Sequence, residues 1–167
     1  PFILLHSTKK IAYHPQLVFH GRMINEKMIE HTARKIKRFL DQAGIPATPK
    51  VKIGILGFAF KGSPETTDVR YSPTFDVVKW LRRWKLHIVG HDPVVETRKI
   101  LDSGAQPAKN MAECFKDAAC VLIMTNHPAY CRPELVSLTA LMKKPGLFFD
   151  PWQLHAIASL TKQPGIS

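Results

Sequence analysis

The chain has 167 residues, of which 45% are apolar and 22% charged, a composition that fits a globular protein and excludes a disordered or collagen-like one. Its longest unbroken apolar run, Ala118 to Met124, falls far short of the roughly 20 residues a membrane span needs, so no transmembrane helix is predicted. Lys and Arg number 24 against 13 acids, a formal charge of +11. Such a balance attracts phosphate-bearing ligands, nucleic acid or anionic lipid. Residues 1–50 carry 9 basic and 3 acidic side chains, and residues 51–167 carry 15 and 10. The excess is spread out, which excludes a basic tail and disfavours a nucleic-acid patch.

The opening Pro1-Phe-Ile-Leu-Leu is too short and lacks the basic start of a signal peptide, and the missing initiator Met suggests a fragment. Cys114, Cys120 and Cys131 are odd in number and contain no Cys-x-x-Cys pair. Neither a disulfide framework nor a zinc cage is expected, and a reducing, cytoplasmic setting fits.

In chain order, residues 1–21 show no sustained period and read as a loop or a remnant of something larger. From Met23 to Ala43, Ile29, Ala33, Ile36 and Leu40 follow helical spacing, and Gly44 supplies a stop. The charged opposite face reads as solvated. This long helix lies outside any sheet domain, so Ile29, Ile36 and Leu40 are expected to be buried by a partner chain or a missing domain. Ile45-Pro-Ala-Thr-Pro49 breaks the helix and marks a predicted boundary between residues 1–49 and 50–167. Downstream, strands at Val51–Leu56, Leu86–Val89, Cys120–Thr125 and Leu147–Phe149 alternate with helices at Thr74–Trp84, Val95–Asp102, Met111–Lys116 and Glu134–Met142. That alternation predicts an α/β fold, a Rossmann-like, doubly wound, mainly parallel sheet preceded by the long linking helix.

In such a sheet, ligands bind beyond the carboxyl ends of the strands, which points to the segment from Gly57 to Pro73. Two motifs are absent from it. There is no Gly-x-Gly-x-x-Gly, and Gly57 to Gly62 has P-loop spacing but continues Ser63-Pro64 instead of Lys-Ser/Thr. What remains is a glycine, an aromatic, Lys61 and Arg70. Lys61 offers a point charge and Arg70 a planar fork for phosphate oxygens; ordinary surface charge, with Arg70 paired to Asp68, is the competing account. His87 and His91 flank a predicted strand, with Asp92 beside them, and suggest metal ligands, but no further ligand recurs at a suitable spacing, so no metal site is predicted. Asp92 could accept a ribose hydroxyl or serve a strand-end turn. Phe75, Trp80 and Trp84 fit core or interface packing better than a stacking platform.

Ile55-Leu-Gly-Phe-Ala-Phe-Lys61, Asp68-Val-Arg-Tyr-Ser-Pro73 and His91-Asp-Pro93, in that order, resemble the C-terminal domain of the UDP-glucose/GDP-mannose dehydrogenase family over about residues 50–152. Arg22-Met-Ile-Asn25 resembles the end of the helix that links that family's central and C-terminal domains. The resemblance implies NAD-dependent oxidation of a nucleotide-sugar alcohol to a uronic acid. It implies nucleotide-sugar contacts for Phe60 and Lys61, and an Arg70 that reaches toward NAD held mainly by an N-terminal domain. It also implies a homodimer or higher homo-oligomer through the linking helix.

Three departures from the family pattern bear on the site. Six residues, Gly62 to Thr67, separate Phe-Lys from Asp-x-Arg where four are usual, a loop similar to that of members acting on N-acetylated amino sugars. Asp150-Pro-Trp152 replaces Asp-Gly-Arg, so Trp152 either covers base or sugar in place of an arginine or packs in the core. The family's Phe-Gly-Gly-x-Cys segment is absent, which leaves Cys114 and Cys120 as core thiols, Cys131 as a loop thiol, no catalytic residue, and an isolated chain expected to be inactive. A stand-alone, non-catalytic nucleotide-binding module is the alternative.

Overall fold

The computed structural model describes residues 2–9, 11–156 and 165–167; residues 157–164 of the predicted second region lie outside the described residues. Helix α1 (Phe2–Lys9) precedes α2 (Gln16–Gln42), β1 (Lys52–Leu56), α3 (Pro73–Arg83), β2 (His87–His91), α4 (Thr97–Ser103) and β3 (Gln106–Pro107). There follow α5 (Met111–Phe115), β4 (Ala118–Ile123), a 3₁₀ turn at Pro128–Tyr130, α6 (Glu134–Ser137), a 3₁₀ turn at Leu138–Leu141 and β5 (Leu147–Phe149).

The five strands form one sheet in the order β3-β2-β1-β4-β5, and every pairing is parallel. Alternate residues serve opposite faces. Ile53, Ile55, Ile88, Cys120, Leu122 and Leu147 join a core with α2, α3 and α4. Leu56, Val89, Val121, Ile123 and Phe148 face α5 and α6. Helices therefore cover both faces, and the doubly wound α/β prediction holds. The strand order reverses between β1 and β4, the place where such sheets open a crevice.

The structure corrects three expectations. The region predicted as loop, 1–21, contains α1 and the first turns of α2. Several of their large apolar side chains, Ile3, Leu4, Leu17 and Phe19, are exposed, so these turns carry no sustained apolar period. The predicted helix at Glu134–Met142 is a short α-helical turn followed by a 3₁₀ turn. The third correction concerns α2. Ile36 and Leu40 are fully buried in the chain's own core, with Ile29 packed against it, so they need no partner. Gly44, at φ +66°, turns the chain back onto the helix end: Gly44 N–H donates to Asp41 O and Ile45 N–H to Leu40 O. This paired C-terminal cap needs a left-handed residue, and it drops Ile45 onto the same core.

Candidate functional site

Beyond Leu56 the chain stays bonded to both neighbouring strands, since Gly57 N–H donates to His91 O (2.9 Å) and Met124 N–H donates to Leu56 O (2.7 Å). Asp92, at the end of β2, then fixes the next residues. Its Oδ2 accepts from the amides of Phe58 (2.6 Å) and Ala59 (3.0 Å), and its Oδ1 accepts from Val94 (3.0 Å) and Val95 (2.9 Å). Four backbone donors occupy the carboxylate, which decides for the strand-end turn over a ribose contact. Thr74 Oγ1 donates to Gly57 O, Ser72 Oγ to Ala59 O, and Phe60 N–H to Asp68 O. The loop is thereby tied to the start of α3 and to itself.

Phe58 and Ala59 point into the core, while Phe60 is 53% exposed and Lys61 is exposed. The rigid loop thus presents an aromatic ring and a cation in succession at the carboxyl end of β1. Arg70 lies on the return of the same loop and grips Asp68 through Nε and Nη2 (2.8–3.1 Å). The hydrogen bonds from Arg70 hold the Asp68 carboxyl down to about 2. This is the pairing foreseen as the bland account of Arg70, made at an exposed position. Trp152 follows β5; its amide donates to Asp150 Oδ1 and the residue is 48% exposed. Exposure on that scale removes the core-packing account. β5 lies two strands from β1, about 10 Å across the sheet edge at one strand spacing per step.

Between them runs the segment after β4, Met124 to His127, which the sequence reading did not single out. Gly62 N–H donates to Asn126 Oδ1 (3.1 Å), and the His127 side chain is buried against the loop that follows β1. Only the position of Thr-Asn-His-Pro after the strand beside β1 marks these residues, and strand order is not visible in the sequence.

The metal reading of the histidines fails on geometry. His87 and His91 stand at opposite ends of β2, roughly 13 Å apart at the strand rise. His87 Nε2 meets Gln106 Oε1 at 3.0 Å, and His91 Nδ1 lies 3.3 Å from the Tyr130 hydroxyl. Burial lowers the pKa of His91. No group of three or more His, Cys, Asp or Glu among the described residues is placed to hold a metal ion.

Cys114 and Cys120 are buried, and that burial pushes both thiols up to about 12, while Cys131 is exposed. A thiol reagent at pH 8 is expected to label one cysteine in the native chain and three after unfolding. A second fast native thiol would show that a core cysteine is accessible.

A βαβ site for the pyrophosphate of NAD needs a tight glycine turn leading straight into a helix. Here residues 57–72 separate β1 from α3, and Phe58 and Ala59 are buried where the turn would lie. These residues do not fit the dinucleotide.

Among the described residues, no helix is long and apolar enough to cross a membrane. The chain is similar to UDP-glucose 6-dehydrogenase TuaD of Bacillus subtilis (strain 168), 28% identical over 144 residues, covering 85% of this chain and 30% of that protein. It is also similar to a UDP-N-acetyl-D-glucosamine 6-dehydrogenase of Salmonella typhi, 27% identical over 124 residues, covering 74% of this chain and 28% of that protein. The chain thus spans about 30% of the length of such relatives. Among solved structures, a UDP-D-ManNAc dehydrogenase from Pyrococcus horikoshii matches with a TM-score of 0.68 at 25% identity, covering 87% of this chain and 32% of that one. An NDP-N-acetyl-D-galactosaminuronic acid dehydrogenase from Methanosarcina mazei Go1 shares the fold, with a TM-score of 0.76 at 19% identity over 97% of this chain and 34% of that one. Residues 54–156 match the UDP binding domain of the UDP-glucose/GDP-mannose dehydrogenase family, and the chain belongs to that family.

Proposed function

We propose that this chain binds the nucleotide-sugar substrate of an NAD-dependent UDP-sugar 6-dehydrogenase, which oxidises a UDP-hexose or UDP-N-acetylhexosamine to its uronic acid. The observation that carries this reading is the exposed Phe60-Lys61 pair, held on a loop pinned at the strand-order reversal of the sheet, within a match to a UDP binding domain. Lys61 supplies the charge for the diphosphate. Phe60 and Trp152 cover the uracil or sugar from either side of the crevice.

Arg70, exposed beside the crevice, extends toward NAD carried by residues other than these. The chain's own thiols are buried and neutral at positions 114 and 120, and position 131 lies on an exposed turn after β4. Alone, the chain binds without oxidising. A homo-oligomer would form through the amino-terminal half of α2, where Leu17 (87% exposed), Ile24 (63%) and Met28 share one helical stripe. Residues 1–49 are then the remnant of a central helical region and the linking helix, whose carboxyl-terminal half packs on the sheet core, and residues 50–167 form the nucleotide-sugar domain, working in the cytoplasm.

The test is titration with UDP. A hydrogen bond to a charged partner contributes about 1.5–3 kcal/mol, so Lys61→Ala is expected to weaken UDP binding at least about tenfold. The melting temperature should stay within a degree or two, because the side chain is exposed. Unchanged affinity would overturn the reading. A large loss of melting temperature would move Lys61 to a structural role.

A further inference from the structure

Resting on that reading, we propose that Asn126 is a positioning residue that, with the backbone of His127 as a seat for the loop, sets Lys61 over the crevice between β1 and β4. The amides around Lys61 are held from three places. Phe58 and Ala59 donate to Asp92, Phe60 donates to Asp68 O, and Gly62 donates to Asn126 Oδ1. Asn126 therefore closes the carboxyl side of the loop as Asp92 closes its amino side. A neutral amide suits this place, since it accepts the bond without giving the Lys61 ammonium a carboxylate to pair with.

The loop also lies directly on the peptide of residues 126 and 127. A Cβ built on Gly62 would sit 2.2 Å from His127 N and 2.5 Å from His127 Cα, both backbone atoms that cannot swing away. Only glycine permits that approach. His127 extends the seat under the loop. Its Nδ1 accepts from Ala129 N–H at 3.0 Å. The ring's Nε2 is buried and lies 3.0 Å from Glu65 Oε1, in an alignment that makes no hydrogen bond. Glu65 carries an exposed side chain on the six-residue stretch between Lys61 and Asp68. The middle of that stretch thus lies against the residues that follow β4. A cation whose Cα is fixed this way meets a diphosphate with less ordering left to do.

If these residues act through Lys61, their effects on binding must vanish when Lys61 is gone. UDP is titrated calorimetrically into the 167-residue chain carrying Asn126→Ala, Gly62→Ala, Lys61→Ala and the two doubles with Lys61→Ala. The expected result is a five- to tenfold rise in Kd for Asn126→Ala and for Gly62→Ala, and less than twofold when either is added to Lys61→Ala. In amide hydrogen exchange, the Gly62 N–H should be protected in the wild type and exposed in Asn126→Ala. Should Gly62→Ala fail to fold, Asn126→Ala carries the test alone. Full additivity, or a wild-type Kd in Asn126→Ala, would overturn the positioning role while leaving the Lys61 reading intact. An absence of UDP binding, or a Kd unmoved by Lys61→Ala, overturns that reading and the positioning role with it.

Discussion

Asp92→Ala is expected to destabilise the protein by about 3–5 kcal/mol, and to lower its melting temperature by roughly 10 °C at the 2–4 °C per kcal/mol typical of a chain this long. The carboxylate accepts four backbone amides from two loops. Each such bond to a charged acceptor contributes about 1.5–3 kcal/mol. Asp92 is itself half-buried, so water can replace part of what alanine removes, and the loss falls below the simple sum. Phe58, Ala59 and Val95 are buried, so their amides gain least from water. Asp92→Asn keeps one acceptor oxygen of the two and should lie about midway. A melting temperature within about 2 °C of the wild type for Asp92→Ala would show that the loops after β1 and β2 hold their shape without the carboxylate.

Asp92 also illustrates how far the sequence could be read. A strand-end Asp-Pro signals a turn, but it does not say that the carboxylate reaches across to another strand's loop, because that contact depends on β1 and β2 being neighbours. The same holds for Asn126 and His127. Their chemistry is unremarkable in the sequence, and they matter only because β4 lies beside β1 and not beside β3. The strands themselves were legible because apolar runs such as Ile53–Leu56 and Cys120–Ile123 are buried on both faces, and that pattern is local. β3 escaped notice because two residues, one a proline, carry no period and suit only a sheet edge. Phe60 and Lys61 could be singled out as an aromatic and a cation following a strand. Their exposure, with buried Phe58 and Ala59 before them and buried Gly62 after, came only with the fold.

The packing of α2 gives the other large expected effect. Leu40→Ala should cost about 3 kcal/mol, within the 2–5 kcal/mol typical of a leucine truncated in a tight core, and the loss should be the same at every protein concentration. Leu40 is fully buried among residues of the sheet domain and lies one turn before the Gly44 cap, so the cavity would open inside a single chain. A partner-buried leucine behaves differently, since its contribution grows with subunit concentration. Melting curves over a hundredfold concentration range separate the two cases. A Leu40→Ala defect that shrinks on dilution would mean that a second copy completes this part of the core. The comparison residue is Ile24, 63% exposed on the same helix. Ile24→Ser should leave the dilute monomer within about 0.5 kcal/mol of wild type, because that side chain is mostly exposed, and should weaken only whatever self-association the amino-terminal half of α2 supports.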